Sequence, residues 1–333
     1  MTTPPTANHP HSVTLRFLAA PTDAGITGTV AAGTVLEWVD KAAYAAAVGW
    51  SANYCVTAYV GNIHFADPIH SGDLVEVTAS VVYTGRSSMH IRTEVSFSDP
   101  RELKPVTSST CLVIFVAVDE HGKPTPVPSF TPGTARELEL REHALARIEI
   151  RERIVASMNN QSYTDAGTAE RVVLRFMAAP TDVNWGGKVH GGIVMKWIDE
   201  AADLCASRYS GLDTVAVFSG GVRFYRPLHI GNLVEVEARL VYTGTKGMHI
   251  AVHVRSGDPK TNQLELTTYC LTVMVARDES GTAVPVKAWE PVSEEDSRLW
   301  HHARELLEIR ANAPGGYTPT HLSHEHPTAK VAQ

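Results

Sequence analysis

At 333 residues the chain is too long for one ordinary core and suits two domains of roughly 150 residues each. Its net charge of −7 argues against a general nucleic-acid binder, which needs a basic face to neutralise phosphates. No apolar stretch reaches the roughly 20 residues that span a bilayer as a helix, so the expectation is a soluble, cytoplasmic protein. Cys55, Cys111, Cys205 and Cys270 form no CxxC pair and no compact framework, which reads as reduced thiols.

Residues 1–11 are rich in Thr, Pro and His and lack the apolar core of a signal peptide, so they read as a disordered tail. A short apolar strand follows over 12–18. The Ala-rich run 32–48 is a helix with apolar groups on nearly every side, which places it inside a fold. Four β-rich runs come next, 54–65, 74–83, 89–97 and 107–118. Turn-formers separate them: Asp67-Pro68, Ser71-Gly72-Asp73, Thr84-Gly85 and Asp99-Pro100. Short connections predict an antiparallel meander, so the unit 12–128 is α+β, one buried helix against a curved antiparallel sheet. A charged helix over 134–158 carries an apolar stripe of Leu138, Leu145, Ile148 and Ile154. The stretch 159–168 reads as a flexible linker, and together they connect the domains over 129–170.

The pattern then begins again. Leu15-Arg16-Phe17-Leu18-Ala19-Ala20-Pro21-Thr22-Asp23 returns as Leu174-Arg175-Phe176-Met177-Ala178-Ala179-Pro180-Thr181-Asp182, an offset of 159 residues. The register holds without a gap through Trp38/Trp197, Asp40/Asp199, Phe65/Phe224, Met89/Met248 and Cys111/Cys270 to Glu120/Glu279. A period this long makes each copy a whole domain rather than a solenoid repeat. The second domain spans 171–290, a second charged helix falls within 291–312, and 313–333 reads as a disordered tail. In that tail His321, His324 and His326 are solvated rather than a metal site.

The segment most suggestive of chemistry is Asn184-Trp185-Gly186-Gly187-Lys188-Val189-His190-Gly191-Gly192, which enters the helix bearing Asp199-Glu200. Glycines at a helix start leave backbone N–H groups uncovered beside the positive end of the helix, where they can hold an oxyanion; the other reading is close packing. A helix Asp such as Asp40 or Asp199 can serve as a general base, or merely pair with a neighbouring cation or water. Arg86-Ser87-Ser88 and Lys246-Gly247, at equivalent turns, are phosphate anchors or solvated hairpins. The repeated His90/His249 on a strand reads as sheet packing rather than catalysis.

The Asn-x-x-Gly-x-x-His-Gly-Gly run resembles the hotdog acyl-CoA thioesterases. So do Trp197-Ile198-Asp199-Glu200 and the later Phe224-x-x-Pro227 and Gly231-x-x-Val234. The doubled layout resembles the tandem-hotdog acyl-CoA hydrolases of the cytosolic type. Copy one matches through Gly28-Thr29-Val30-Ala31-Ala32-Gly33 and Trp38-Val39-Asp40.

The resemblance implies a double hotdog with two composite sites, each joining the glycine turn of one unit to the helix acid of the other. One site would combine Asn184, His190, Gly191 and Gly192 with Asp40, and the other Thr29 and Gly33 with Asp199. In the implied chemistry a carboxylate activates water on the thioester carbonyl, Gly192 N–H holds the oxyanion and Asn184 orients the water or carbonyl. Attack by the carboxylate itself is the variant.

Coenzyme A contacts are implied at Ala58, Tyr59, Val60, Phe218, Ser219, Arg86, Ser87, Ser88, Lys246 and Gly247. Coenzyme A enters as part of the substrate, with no separate cofactor and no metal, and the implied assembly is a homotrimer. This chain departs from the family at Thr29 and Lys188, where Asn or Asp is usual, and at Gly25, Ala31 and Ala32 in copy one. The two sites are therefore expected to be unequal, with the Asp40 site favoured. A noncatalytic acyl-CoA sensor and a hotdog enoyl-CoA hydratase or dehydratase are the competing readings.

Overall fold

A computed structural model describes residues 11–25, 28–102, 104–261 and 263–311. The expected tails, His11 apart, lie outside the described residues, and so do His321, His324 and His326.

The first repeat runs β1 (Ser12–Leu18), α1 (Ala32–Ser51), β2 (Cys55–Val60), β3 (Ile63–His64), β4 (Leu74–Thr84), β5 (Ser88–Ser98) and β6 (Val106–Ala117). After α2 (Ala135–Asn159) the second repeat follows as β7 (Arg171–Met177), α3 (Gly191–Ser210), β8 (Thr214–Phe224), β9 (Leu233–Thr243), β10 (Gly247–Gly257) and β11 (Glu265–Ala276), and α4 (Glu294–Ala311) closes the described chain. The strands form one antiparallel sheet in the order β1-β4-β5-β6-β2-β8-β11-β10-β9-β7. The two repeats join where Tyr59 pairs with Arg223 and Val60 with Val222. Each half of this sheet wraps its own helix, the double-hotdog α+β layout.

Apolar surface drives the wrapping. On α1 the side chains of Val39, Ala42, Ala43, Ala46 and Ala47 are fully buried, and on α3 so are Met195, Ala201, Ala202, Cys205 and Ala206. The two helices also pack on one another, with a glycine at each point of closest approach. A Cβ on Gly33 would lie 2.7 Å from Lys196 Cα, and one on Gly192 would lie 2.7 Å from Glu37 Cα. Close packing is therefore a real function of these glycines, and it is helix on helix.

Two stretches differ from expectation. The run 54–65 is not one strand. β2 ends at Val60, Gly61 N–H turns to Leu112 O, and β3 crosses to pair Ile63 with Ser219 and His64 with Phe218 on β8. Copy two continues through the same place as a single strand, with Gly221 at φ +67°. The stretch read as a flexible linker is hydrogen-bonded along its length. Tyr163 Oη lies 2.6 Å from Tyr269 Oη, Thr164 N–H donates to Glu295 (2.8 Å), and Thr168 N–H donates to Asp296 (3.0 Å). Arg239, only 2% exposed, donates to Glu295, Glu237 and Thr164 O, so this buried guanidinium is paired. α4 lays Leu299, Ala303 and Leu306 on the same outer face of the second half-sheet. Among the described residues no helix is long and apolar enough to cross a membrane.

Candidate active site

The helix pair brings each acidic residue to the opposing glycine turn, leaving two cavities in equivalent places. In the first, Asp40 sits in mid-α1, 2% exposed. Its Oδ1 accepts from Thr57 Oγ1 at 2.8 Å, and its Oδ2 accepts from Gly192 N–H at 3.0 Å. His190 caps α3: its Nδ1 also accepts from Gly192 N–H (3.0 Å) and lies 3.3 Å from Asp40 Oδ2. Burial pushes the Asp40 carboxyl above its ordinary value, opposed by the neighbouring His190 ring, the Thr57 hydroxyl and Gly192 N–H. Gly191 permits the approach, since a Cβ there would meet Thr57 Oγ1 at 3.0 Å and Asp40 Oδ2 at 3.1 Å. The cavity, about 240 Å³, is lined by these residues together with Ala58, Asn184 and Lys188.

Asn184 is occupied differently from the role the resemblance gives it. Its Oδ1 accepts from Gly186 N–H (2.8 Å), Lys188 N–H (3.1 Å) and Tyr54 Oη (3.3 Å), so it shapes the loop entering α3. Gly192 N–H, expected at an oxyanion, is held by Asp40 and His190. Gly191 N–H lines the same cavity and has no hydrogen-bond partner among the described residues.

In the second cavity Asp199 is half-buried and accepts from Gly33 N–H at 2.8 Å. Burial chiefly, with Asp203 and Glu200 adding repulsion, pushes its carboxyl up to about 7. The equivalents of Thr57, His190 and Asn184 are Ala216, Ala31 and Gly25. Thr29 lines this cavity, and its backbone bridges to His70. The space is larger, about 530 Å³, and is bordered by Asp23, Asp67, Glu200, Asp203 and Asp213 against Lys196 and Arg277.

Of the expected coenzyme A contacts, Ala58 lines the first cavity. Tyr59, Val60, Phe218 and Ser219 are buried in the central strands, with Val60 at 0% and Phe218 at 2% exposed. Arg86, Ser87 and Ser88 lie at the β4–β5 turn, Lys246 Nζ donates to Ala283 O (2.8 Å), and Gly247 begins β10. None of these nine residues lines either cavity. His90 and His249 are buried in the sheet against Tyr83 and Tyr242. All four cysteines are buried free thiols. Among the described residues no group of three or more His, Cys, Asp or Glu is placed to hold a metal.

Reading by sequence missed Thr57, although its replacement by Ala216 in an otherwise faithful repeat was a usable signal. It also missed Tyr44 and Trp185, which stack across the two repeats beside the first cavity.

Comparison with known proteins agrees with this geometry. The thioesterase superfamily profile matches twice, over 27–104 and 186–262, once across each acid-bearing helix. The chain is similar to the cytosolic acyl coenzyme A thioester hydrolase of Mus musculus, 24% identical over 329 residues, covering 93% of this chain and 86% of that one. It is also similar to the uncharacterized acyl-CoA thioester hydrolase YkhA of Bacillus subtilis, 31% identical over 142 residues, covering 43% and 83%. Among solved structures, an acyl-ACP thioesterase from Bacteroides thetaiotaomicron covers 79% of this chain and 98% of its own, with a TM-score of 0.53 at 11% identity, a likeness of fold. The chain belongs to the thioesterase superfamily, within its tandem-hotdog acyl-CoA thioesterase family.

Proposed function

We propose that the chain hydrolyses acyl-CoA thioesters to a carboxylic acid and coenzyme A, and that it does so in the Asp40 cavity. The observation that carries this is the meeting of a buried carboxylate from one repeat with the uncovered helix start of the other. Asp40 takes a proton from water as the water oxygen bonds to the thioester carbonyl carbon. Gly191 N–H, at the positive end of α3, receives the developing oxyanion. The C–S bond then breaks and the thiolate, a weak enough base to leave without a dedicated acid, takes up the proton held by Asp40, directly or through solvent, which restores the carboxylate. The hydrogen bonds that Asp40 accepts from Thr57 and Gly192 N–H hold its carboxylate in place beside the turn.

Charge supports the entry of coenzyme A on this side. Lys188 lines the cavity and makes no ion pair among the described residues; Arg226 lines it too, already paired with Glu265. Ala58 leaves room on β2 for the pantetheine arm. A homotrimer and a cytoplasmic location belong to the same reading, and light scattering of the purified chain tests the assembly.

The closeness of His190 to Asp40 favours one second reading, hydration of an enoyl-CoA with the imidazole as acid–base group. The deciding experiment offers acyl-CoA and enoyl-CoA to wild type and Asp40→Asn and follows thiol release and loss of the double bond. Thiol release that disappears in the variant supports hydrolysis. Water addition without thiol supports the hydratase, and tight binding with neither a sensor.

A further inference from the structure

Strand β2 orders the lining of the Asp40 cavity. Thr57 bonds the carboxylate, and Ala58 lies beside the crossing to β8, whose last residue Phe224 leads to Arg226. In the opposite direction Cys55 lies beside Tyr44, one helical turn beyond Asp40 on α1. The first end is polar and basic. The second is aromatic. Tyr44 stacks on Trp185 with ring centroids 4.5 Å apart and planes 7° apart, and meets Phe115 edge-on at 6.1 Å. The stack is built from both repeats and held from below. Tyr54 donates to Asn184, and a Cβ on Gly186 would lie 2.2 Å from the Tyr54 ring, so only glycine lets the loop settle there.

Resting on the hydrolase reading above, we infer that the Tyr44–Trp185 stack is the end wall of the acyl pocket and restricts the enzyme to short acyl chains. The available space agrees. The cavity that ends at the stack measures about 240 Å³. In copy two the cavity is about 530 Å³ and Asp203 stands in the place of Tyr44.

The test is kcat/KM by thiol release for acyl-CoA from acetyl to palmitoyl, in wild type, Tyr44→Ala, Trp185→Ala and Tyr44→Phe. Wild type is expected to favour short acyl chains over palmitoyl. Opening the wall to two further methylenes, each about fourfold when buried, raises the ten-carbon to four-carbon ratio in Tyr44→Ala by about 15-fold. Trp185→Ala shifts the ratio in the same direction, and Tyr44→Phe, which keeps the ring, does not shift it. Trp185 is 68% exposed, so its variant carries the test if Tyr44→Ala fails to fold. A wild-type optimum at long chains, or variants lowered evenly at every length, overturns the wall and leaves hydrolysis standing. No thiol release from wild type at any length overturns the hydrolase reading and the wall with it.

Discussion

The two cavities occupy equivalent places in one duplicated frame, yet their chemistry has diverged. The crossing glycines, Gly33 and Gly192, and the acids, Asp40 and Asp199, are retained in both. Around Asp40 stand a hydroxyl, an imidazole, a lysine with no ion pair among the described residues and an aromatic wall. Around Asp199 the positions of Tyr44, Tyr54 and Arg226 are Asp203, Asp213 and Asp67, and the hydroxyl and imidazole have become Ala216 and Ala31. Two unit charges 4 Å apart already interact by about 1 kcal/mol in water and by more beside protein. A wall of carboxylates therefore disfavours a polyanionic substrate such as coenzyme A. The lesson is that an acid facing a helix start is a scaffold, and the neighbouring charges decide whether it becomes a site.

Asp40→Asn breaks that comparison most severely. It is expected to lower kcat/KM by about 10²–10⁴, the usual worth of a positioned base, while Asp199→Asn changes it by less than about threefold. Equal losses at the two positions in thiol-release assays would mean that both cavities turn over substrate.

The frame itself should respond evenly. Gly33→Ala and Gly192→Ala each drive a methyl into the facing helix backbone and are expected to cost about 1–3 kcal/mol in denaturant unfolding. Gly191→Ala keeps the backbone N–H but sets a methyl 3.0 Å from Thr57 Oγ1 and 3.1 Å from Asp40 Oδ2, so these two side chains must shift and activity falls. A Gly191→Ala variant that keeps full activity would show that the close approach of this turn to Asp40 and Thr57 is not required for turnover.

A smaller effect isolates the hydroxyl that copy two lacks. Thr57→Ala removes a hydrogen bond to a charged oxygen, worth about 1.5 kcal/mol, hence about a tenfold loss of kcat/KM. The hydroxyl holds the Asp40 pKa down, so its removal moves the acidic limb of the pH profile upward. A limb that stays in place would show that another group titrates there.

Much of this was legible in the sequence because the signals were local or repeated. The all-round apolar helix demanded a wrapping sheet, and a gapless offset carried that reading from one copy to the other. Pairing Asp40 with the Gly191-Gly192 turn came from family resemblance, and the helix contact supplies its physical basis. What escaped depends on partners far apart in the chain. Nothing near residues 159–168 announces that Thr164 and Thr168 will meet Glu295 and Asp296 more than a hundred positions later. Asn184 and Gly192 N–H were given roles by family resemblance, but Asn184 Oδ1 already accepts three hydrogen bonds at the loop and Gly192 N–H donates to Asp40 and His190. The break after Val60 arises because β3 has a partner in β8, which no pattern within copy one reveals.

The subtlest difference between the cavities concerns stability rather than rate. The Asp199 carboxyl is pushed up to about 7 in the folded chain, against an unfolded value near 3.8. Below pH about 4 it is protonated in both states and has no differential effect. As pH rises from there the unfolded chain releases its proton first, so folding is progressively disfavoured until the folded group ionises near 7, and the penalty is constant above that. Asn at this position cannot ionise and still accepts from Gly33 N–H. Asp199→Asn should therefore match wild type near pH 4 and exceed it above pH 7, by about 1 kcal/mol once partial solvent contact is allowed for. The check is urea unfolding of both proteins at the two pH values. A variant less stable than wild type at pH 8 would mean that the second carboxylate is held by favourable charge, and that the second cavity is built to bind rather than left over from duplication.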